Sequence, residues 1–340
     1  MRAARGLLTA AVVLACLGTG VLVLLLAGHD PIAALGALGR GAFGSAYRLA
    51  ETLLCATPLA LCGLAVAWSF RAGLLNIGGE GQYLAGAIAA TVAGLRVGAW
   101  PTPLALAAVF LAGAAGGTVP ALLAGWLRVR RGVSEVLGTI LLNFTLLELT
   151  RLLLQGPLMG AASLGHPESD LIADSARLPL LWGETRLHLG CALLLLLPVV
   201  VHVGLFHTRI GLLLHAAGDA PEAVRFGGFS LPRIQLWAFA GSGALCGLAA
   251  ACQLSGVVGF LSERFSGGTG YAAIGVALLG RLHPLGIAAA ALFFGALEAG
   301  SETMQAEAQV PAALVRVFQA VAILGALLLA RRVAPAAGDA

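Results

Sequence analysis

The sequence predicts an all-α polytopic membrane protein, and three observations carry that expectation. Of its 340 residues, 59% are apolar and only 11% are charged, against roughly 25% charged in soluble domains. The apolar residues fall in runs near the ~20 that a helix needs to cross a bilayer core. Six letters at 60–65, ALCGLA, recur at 244–249, an offset of 184 residues. So few polar side chains cannot cover a soluble domain, and so apolar a chain does not stay disordered. Collagen-like and disulfide-rich secreted classes are excluded by the same composition.

About ten segments follow, near 7–27, 50–70, 77–95, 103–127, 134–154, 187–207, 234–254, 270–281, 284–304 and 312–330, the eighth being short. The first, preceded by Arg2 and Arg5, is read as a retained helix and not a signal peptide. Its run is long, and no small-residue cleavage site closes it. All twenty basic residues are Arg. Without Lys the chain has no Walker A lysine, no Schiff-base lysine and no Ser-Lys dyad, so ATP, if used, binds another chain. With the N-terminus inside, twelve of the twenty arginines collect at cytoplasmic ends, while the acidic stretch 155–188 lies outside. Both termini are then expected in the cytoplasm.

The repeat extends downstream. Gly78-Gly79-Glu80-Gly81 and Gly86 find counterparts in Gly267-Gly268-Thr269-Gly270 and Gly275, at an offset of 189. Chance matching in an Ala/Leu/Gly-rich chain is the alternative. A true repeat makes spans two to five correspond to seven to ten. Five spans separate equivalents, so the halves cross in opposite directions, an inverted repeat with broken helices. The expected organisation is one transmembrane domain over 1–340, with a first repeat at 50–154, a cytoplasmic loop at 208–233 and a second repeat at 234–330.

Residues 70–82 place four glycines and the polar Asn76, Glu80 and Gln82 inside an apolar run. Glycines this dense weaken a helix by about 1 kcal/mol each. The predicted result is a broken helix whose freed backbone groups need partners in protein or water. The alternative is a loop at the membrane surface with Glu80 hydrated. Residues 260–271 repeat the pattern with Gly268 and Thr269. Paired broken segments point to a substrate pathway, expected to involve Asn76, Glu80, Gln82, Asn143, Gly268 and Thr269. Asn143 is equally an interhelical hydrogen-bonding residue. Glu148 and Arg151, three apart, are expected to pair. Glu298 and Glu302 share a helical face as cation ligands, proton relays or a hydrated helix end.

No catalytic set emerges. Gly241-Ser242-Gly243 lacks the strand-turn-helix context of a hydrolase, His202 and His207 lack a third metal ligand, and no metal site is expected. The six cysteines lie in apolar stretches and read as small hydrophobes. In 211–229, Asp219 or Ala220 ahead of Pro221 marks a helix start and Gly227-Gly228 its stop. A short amphipathic cytoplasmic helix results, either docking into a partner's groove or serving as a solvated connector.

These segments together resemble the permease subunits of ATP-binding-cassette importers in the group for branched-chain amino acids, simple sugars and nucleosides. The nucleoside and simple-sugar branch is nearest. The likeness covers nearly the whole chain and is carried by 73–82, 132–136, 139–143, 275–284 and, in the first outer loop, 41–45. Leu75 stands where that family has Phe, and Gly79 where Ala is usual. The cytoplasmic segment is similar to the family's coupling helix through Ala216, Gly218, Asp219, Pro221, Glu222, Ala223, Arg225 and Gly227. His215 stands there for the usual Arg and Ala220 for Asn. The resemblance implies a multi-pass protein of a bacterial plasma membrane working by alternating access. It implies no cofactor in this chain, ATP and magnesium being bound by a separate ATPase subunit. The other implied partners are a second permease chain, like or unlike, an extracytoplasmic substrate-binding protein and membrane lipid, with no nucleic acid. The competing class is a stand-alone ion- or proton-coupled carrier titrating Glu80, Glu148, Glu298 or Glu302; a membrane enzyme is disfavoured for want of a catalytic set.

Overall fold

The computed structural model describes residues 24–161 and 165–311, together with residues 18, 21, 22, 313, 314, 317, 320 and 321. The expected spans near 7–27 and 312–330 lie largely outside the described residues, as do Arg2, Arg5, Cys16, Arg331 and Arg332. Between 50 and 304, each expected segment is occupied by a helix.

Helix α1 (Pro31–Phe43) starts where Asp30 accepts a hydrogen bond from the Ile32 N–H and Pro31 takes the first turn. It was not foreseen: residues 41–45 were read as loop, because 13 residues are too short to register as a span. Ser45 caps α2 (Ala46–Phe70) by accepting from the Arg48 N–H. After the break come α3 (Gly79–Gly94), α4 (Thr102–Arg131) and α5 (Glu135–Leu154). Helix α4 ends on Gly132 at φ 66°, with Arg128, Arg130 and Arg131 in the last turn complementing the helix dipole. The described residues of 155–188 form one 3₁₀ turn (Asp174–Ala176), are otherwise irregular and are tied down by backbone bonds to 255–261, such as Ile172 N–H to Gly259 O at 2.9 Å.

A 3₁₀ turn (Leu189–Cys191) leads into α6 (Ala192–Phe206). Then follow α7 (Arg209–Asp219), α8 (Pro221–Phe226), α9 (Leu231–Gln253) with a π turn (Leu254–Val258), α10 (Thr269–Leu279) and α11 (Pro284–Ala308). Among the described residues, six helices are long and apolar enough to cross a membrane: α2, α4, α5, α6 with its 3₁₀ turn, α9 with its π turn, and α11. Helices α3 and α10 are shorter, 16 and 11 residues, about 24 and 16 Å at 1.5 Å per residue. Both begin directly after the glycine-rich breaks.

Helices α2 and α9, which carry the recurring six letters, are the most buried of the six. Helices α4, α5 and α6 show exposed leucines such as Leu111, Leu141 and Leu195, the surface that hydrocarbon accepts. The core is held by close backbone approach. Gly113 and Gly117 of α4 face Gly247 and Gly243 of α9, and Gly86 of α3 joins them. A Cβ at Gly113 would lie 2.8 Å from the Gly247 carbonyl oxygen. With no hydrophobic drive between helices in lipid, such small-residue contacts supply the packing. Both helices carry the G-x-x-x-G spacing in the sequence, the one local signal of this contact. The described cysteines are free; Cys55 is half-buried and Cys62, Cys191, Cys246 and Cys252 are buried.

Candidate functional site: a broken-helix junction and its cavity

Helix α2 ends at the tract 71–78, where Gly73 takes φ 70° and no regular structure forms. The freed backbone groups find side-chain partners. Asn76 Oδ1 accepts from the Gly78 N–H at 2.9 Å and from Gln82 Nε2 at 3.1 Å, and Asn76 Nδ2 donates to Ser242 Oγ of α9 at 2.9 Å. Asn143 of α5 closes the other side. Its Oδ1 accepts from the Gly81 N–H at 2.9 Å, while Nδ2 donates to the Ile77 carbonyl at 2.9 Å and the Tyr271 hydroxyl at 3.2 Å. Thr139 Oγ1 accepts from the Ile77 N–H at 3.3 Å. Asn76, Gln82, Asn143 and Ser242 are all buried. A surface loop is therefore not what these residues make, and Ser242 is a hydrogen-bond acceptor inside the helix bundle.

The two breaks meet. Glu80, in the first turn of α3, accepts from the Gly270 N–H in the first turn of α10 at 2.8 Å, and Gly270 lies so close to Glu80 that a Cβ there would overlap its backbone nitrogen. Two helix N-termini, each carrying about half a positive charge, thus abut. The Glu80 carboxylate, buried at 7% exposure, supplies the negative charge that lets them approach.

Beside this junction opens a cavity of about 480 Å³. Phe265, Phe294, Leu59 and Val257 line it with apolar surface, and Gly268 and Thr269 form part of its wall. Its charged groups are Glu51 of α2, Arg186 of the 155–188 stretch, and Glu298 and Glu302 of α11, and Gln253, Ser266 and Thr269 add neutral polar ones. Of the residues expected on a pathway, the cavity is lined by Gly268 and Thr269. Asn76, Glu80, Gln82 and Asn143 lie outside its lining: Asn76, Glu80 and Asn143 hold backbone groups of the two breaks, and Gln82 holds the Asn76 side chain.

Glu51 and Arg186 were missed in the sequence. They form a bidentate pair, Nε to Oε1 at 2.9 Å and Nη2 to Oε2 at 2.5 Å, across 135 residues. Donating to the Glu51 carboxylate raises the Arg186 guanidinium above its ordinary pKa. A lone acid near the start of an otherwise apolar helix was the available signal. Glu298 and Glu302 are exposed to the cavity, with Glu302 also 3.9 Å from Arg48.

Arg186→Ala leaves Glu51, 10% exposed in its side chain, without its partner. It is expected to destabilise the protein by roughly 1–2 kcal/mol, since Arg186 itself is half in solvent. Adding Glu51→Leu should recover most of that loss. Thermal unfolding of the two single variants and the double variant checks it; additive losses would show that the pair carries no coupling.

Residues 208–233 hold two helices, α7 preceding the one expected at Pro221. Thr208 caps α7 by accepting from the Gly211 N–H at 3.2 Å. The chain breaks at Ala220 (φ −146°, ψ 69°), and Pro221 opens α8, which Gly227 ends. Ala216, Gly218 and Asp219 therefore belong to α7. Glu222, Ala223 and Arg225 belong to α8, with Val224 buried beneath them. Glu222 and Arg225 pair at 2.6 Å, and Phe226 is 91% exposed.

Gly218 explains itself by contact: a Cβ there would lie 2.6 Å from the Arg71 carbonyl oxygen and 2.9 Å from the Gly73 nitrogen. Helix α7 thus rests on the tract between α2 and α3. Arg71 also donates to the Leu282 carbonyl beyond α10, from Nη2 at 3.3 Å. His202 packs its ring on Phe206 and His283, with His207 edge-on to it, and no group of three metal-ligating side chains occurs among the described residues. Glu148 and Arg151 pair at 2.7 Å, as their spacing required.

Comparison with known proteins matches residues 48–327 to the family described as branched-chain amino acid transport system / permease component. The chain is 35% identical over 322 residues to the glucose ABC transporter permease protein TsgB13 of Haloferax volcanii, covering 92% of this chain and 84% of that one. It is 33% identical over 319 residues to the guanosine ABC transporter permease protein NupP of Bacillus subtilis, covering 91% and 89%. With the nucleoside ABC transporter permease protein NupB of Lactococcus lactis, identity is 30% over 312 residues, covering 89% and 85%. No solved structure matches.

Proposed function

The chain belongs to the branched-chain amino acid transport system / permease component family, and from that premise we propose that it carries a nucleoside or simple sugar as the membrane permease subunit of an ATP-driven importer. The solute classes are those named for its relatives. It is a transport component and not an enzyme. The observation that carries the reading is the contact of Gly218 with Arg71 and Gly73. A push on α8 passes through α7 to the tract between α2 and α3, then through Glu80 and Gly270 to Thr269 in the cavity wall.

In this reading the bilayer holds ten spans in an inverted repeat, 50–154 against 234–330, with 208–233 as the coupling loop and both termini cytoplasmic. The recurring letters on α2 and α9 and the meeting of α3 with α10 support it. A separate ATPase subunit binds ATP and magnesium and docks on Pro221, Glu222, Ala223, Phe226 and Gly227. A second permease chain completes the pathway, and an extracytoplasmic binding protein delivers solute in a bacterial plasma membrane. Glu51, Glu298 and Glu302 outnumber Arg186 around the cavity. Carboxylates accept hydrogen bonds from the hydroxyls of a neutral solute and repel phosphorylated ones.

Uptake of labelled nucleosides and sugars into proteoliposomes tests this, with the ATPase, permease partner and binding protein present. Uptake is expected to require ATP and binding protein, and Glu222→Arg is expected to reduce it at least tenfold by repelling the docked ATPase (about 1.4 kcal/mol per decade). Uptake by this chain alone, driven by an ion gradient and indifferent to Glu222→Arg, would overturn the reading in favour of a carrier.

A further inference from the structure

A second cavity, of about 350 Å³, lies on the face that carries α8. It is lined by Arg128, Val129 and Gly132 from the end of α4, Arg225 of α8, and Leu231, Pro232 and Gln235 from the start of α9. We propose that it holds the phosphate of an anionic phospholipid headgroup.

Charge is the first argument. Arg128, Arg130 and Arg131 close α4 while Arg225 and Arg233 stand nearby in sequence on α8 and α9, against the three carboxylates Glu135, Asp219 and Glu222. Arg128 pairs with Glu135 and Arg225 with Glu222. A guanidinium has five N–H donors, so each arginine keeps donors for a phosphate oxygen. The second argument is the helix end. The first turn of α9, a 23-residue helix, lines the cavity, and Ser230 provides it no side-chain cap. Pro232 has no N–H and the Arg233 N–H bonds the Ser230 carbonyl at 3.1 Å, so the dipole end offers an anion the Leu231 N–H.

The third argument selects lipid over a protein partner. The cavity lies between the ends of α4 and α9, two helices that span the membrane. Trp126, two residues before Arg128, is 45% exposed, and Trp237, two residues after Gln235, is 52% exposed. Exposed tryptophans at the ends of spanning helices sit at headgroup level. Basic pockets between spanning helices at that level suit acidic headgroups. The acidic docking surface of a protein partner needs no tryptophans facing acyl chains.

The test uses the full-length chain, delipidated in detergent and titrated with phosphatidylglycerol, phosphatidylcholine or inorganic phosphate. Bound lipid is read by native mass spectrometry and thermal stabilisation. Phosphatidylglycerol is expected to be retained at one saturable site and to raise the unfolding temperature, with phosphatidylcholine and inorganic phosphate doing neither. Arg128→Gln with Arg225→Gln is expected to weaken retention at least about tenfold, two charge-assisted contacts being lost. Arg225→Gln alone, on the exposed α8, leaves the Arg128–Glu135 pair intact and should weaken it about threefold. Arg130→Gln with Arg131→Gln removes the same charge away from the cavity lining and should weaken retention clearly less, through the screened long-range field alone. Equal retention of phosphatidylcholine, an equal effect of inorganic phosphate, or equal weakening by both double variants would overturn the proposal. So would loss of the ATPase subunit from the Arg128/Arg225 variant with phosphatidylglycerol retention intact, which would assign the cavity to a protein partner.

Discussion

Gly247→Val is expected to abolish the folded protein. A Cβ at this position overlaps the carbonyl oxygen of Gly113 and lies 3.1 Å from the Ala114 Cα. The colliding atoms are backbone, so no side chain can rotate aside, and α4 and α9 must separate along the row that also contains Gly117, Gly243 and Gly86. Overpacking a core by side-chain collision costs roughly 1–3 kcal/mol. Forcing two helices apart adds the loss of their dispersion contacts and of the close Cα–H to carbonyl approaches. Size-exclusion chromatography of detergent-solubilised protein should show the monodisperse peak lost. Gly39→Val in α1, where nothing lies within 4 Å, should leave that peak unchanged. A Gly247→Val protein eluting and melting like the parent would show that the α4–α9 contact is looser than its glycines imply.

The second large effect is expected at Gly218. Valine there collides with the Arg71 carbonyl oxygen and the Gly73 nitrogen, yet it leaves the exposed side of α8 untouched. The expected phenotype is separation of two functions: ATPase still docks and hydrolyses ATP, while solute uptake falls at least tenfold. A tenfold change corresponds to about 1.4 kcal/mol of lost coupling, a modest demand on a contact made by backbone atoms. Hydrolysis and uptake measured on one proteoliposome preparation decide it. Unchanged uptake per ATP would remove the Gly218 contact from the route and leave α8 to act through Val224 or through α9.

Much of the architecture was legible residue by residue. Composition and run length placed helices at each segment between 50 and 304, because a helix in lipid must satisfy its own backbone and so writes itself as a continuous apolar run. Helix starts were legible at Pro221 and stops at Gly227, for local reasons of proline φ and glycine freedom. Helix α1 was not, since its 13 residues fall below span length. Nor was helix α7, whose 11 residues likewise fall below span length. At the site, Asn76, Glu80, Gln82 and Asn143 stood out as polar residues in apolar surroundings. The sequence could not say whether they face a solute or each other. Glu51 and Arg186, separated by 135 residues, carry no mutual signal at all.

What the sequence by itself determined is the membrane class, the all-helical chain, the positions of the two glycine-rich breaks and the absence of any lysine chemistry. These follow from composition and from interactions within a few residues. The tertiary structure decided which polar groups are consumed in satisfying broken backbone and which remain open to a cavity. It also decided that α3 and α10 share one carboxylate at their meeting ends and that α7 seats Gly218 on Gly73. Each of these depends on distances between helices remote in the chain, and interhelical distance is set by the size of the residues at the crossing points, which no local pattern encodes.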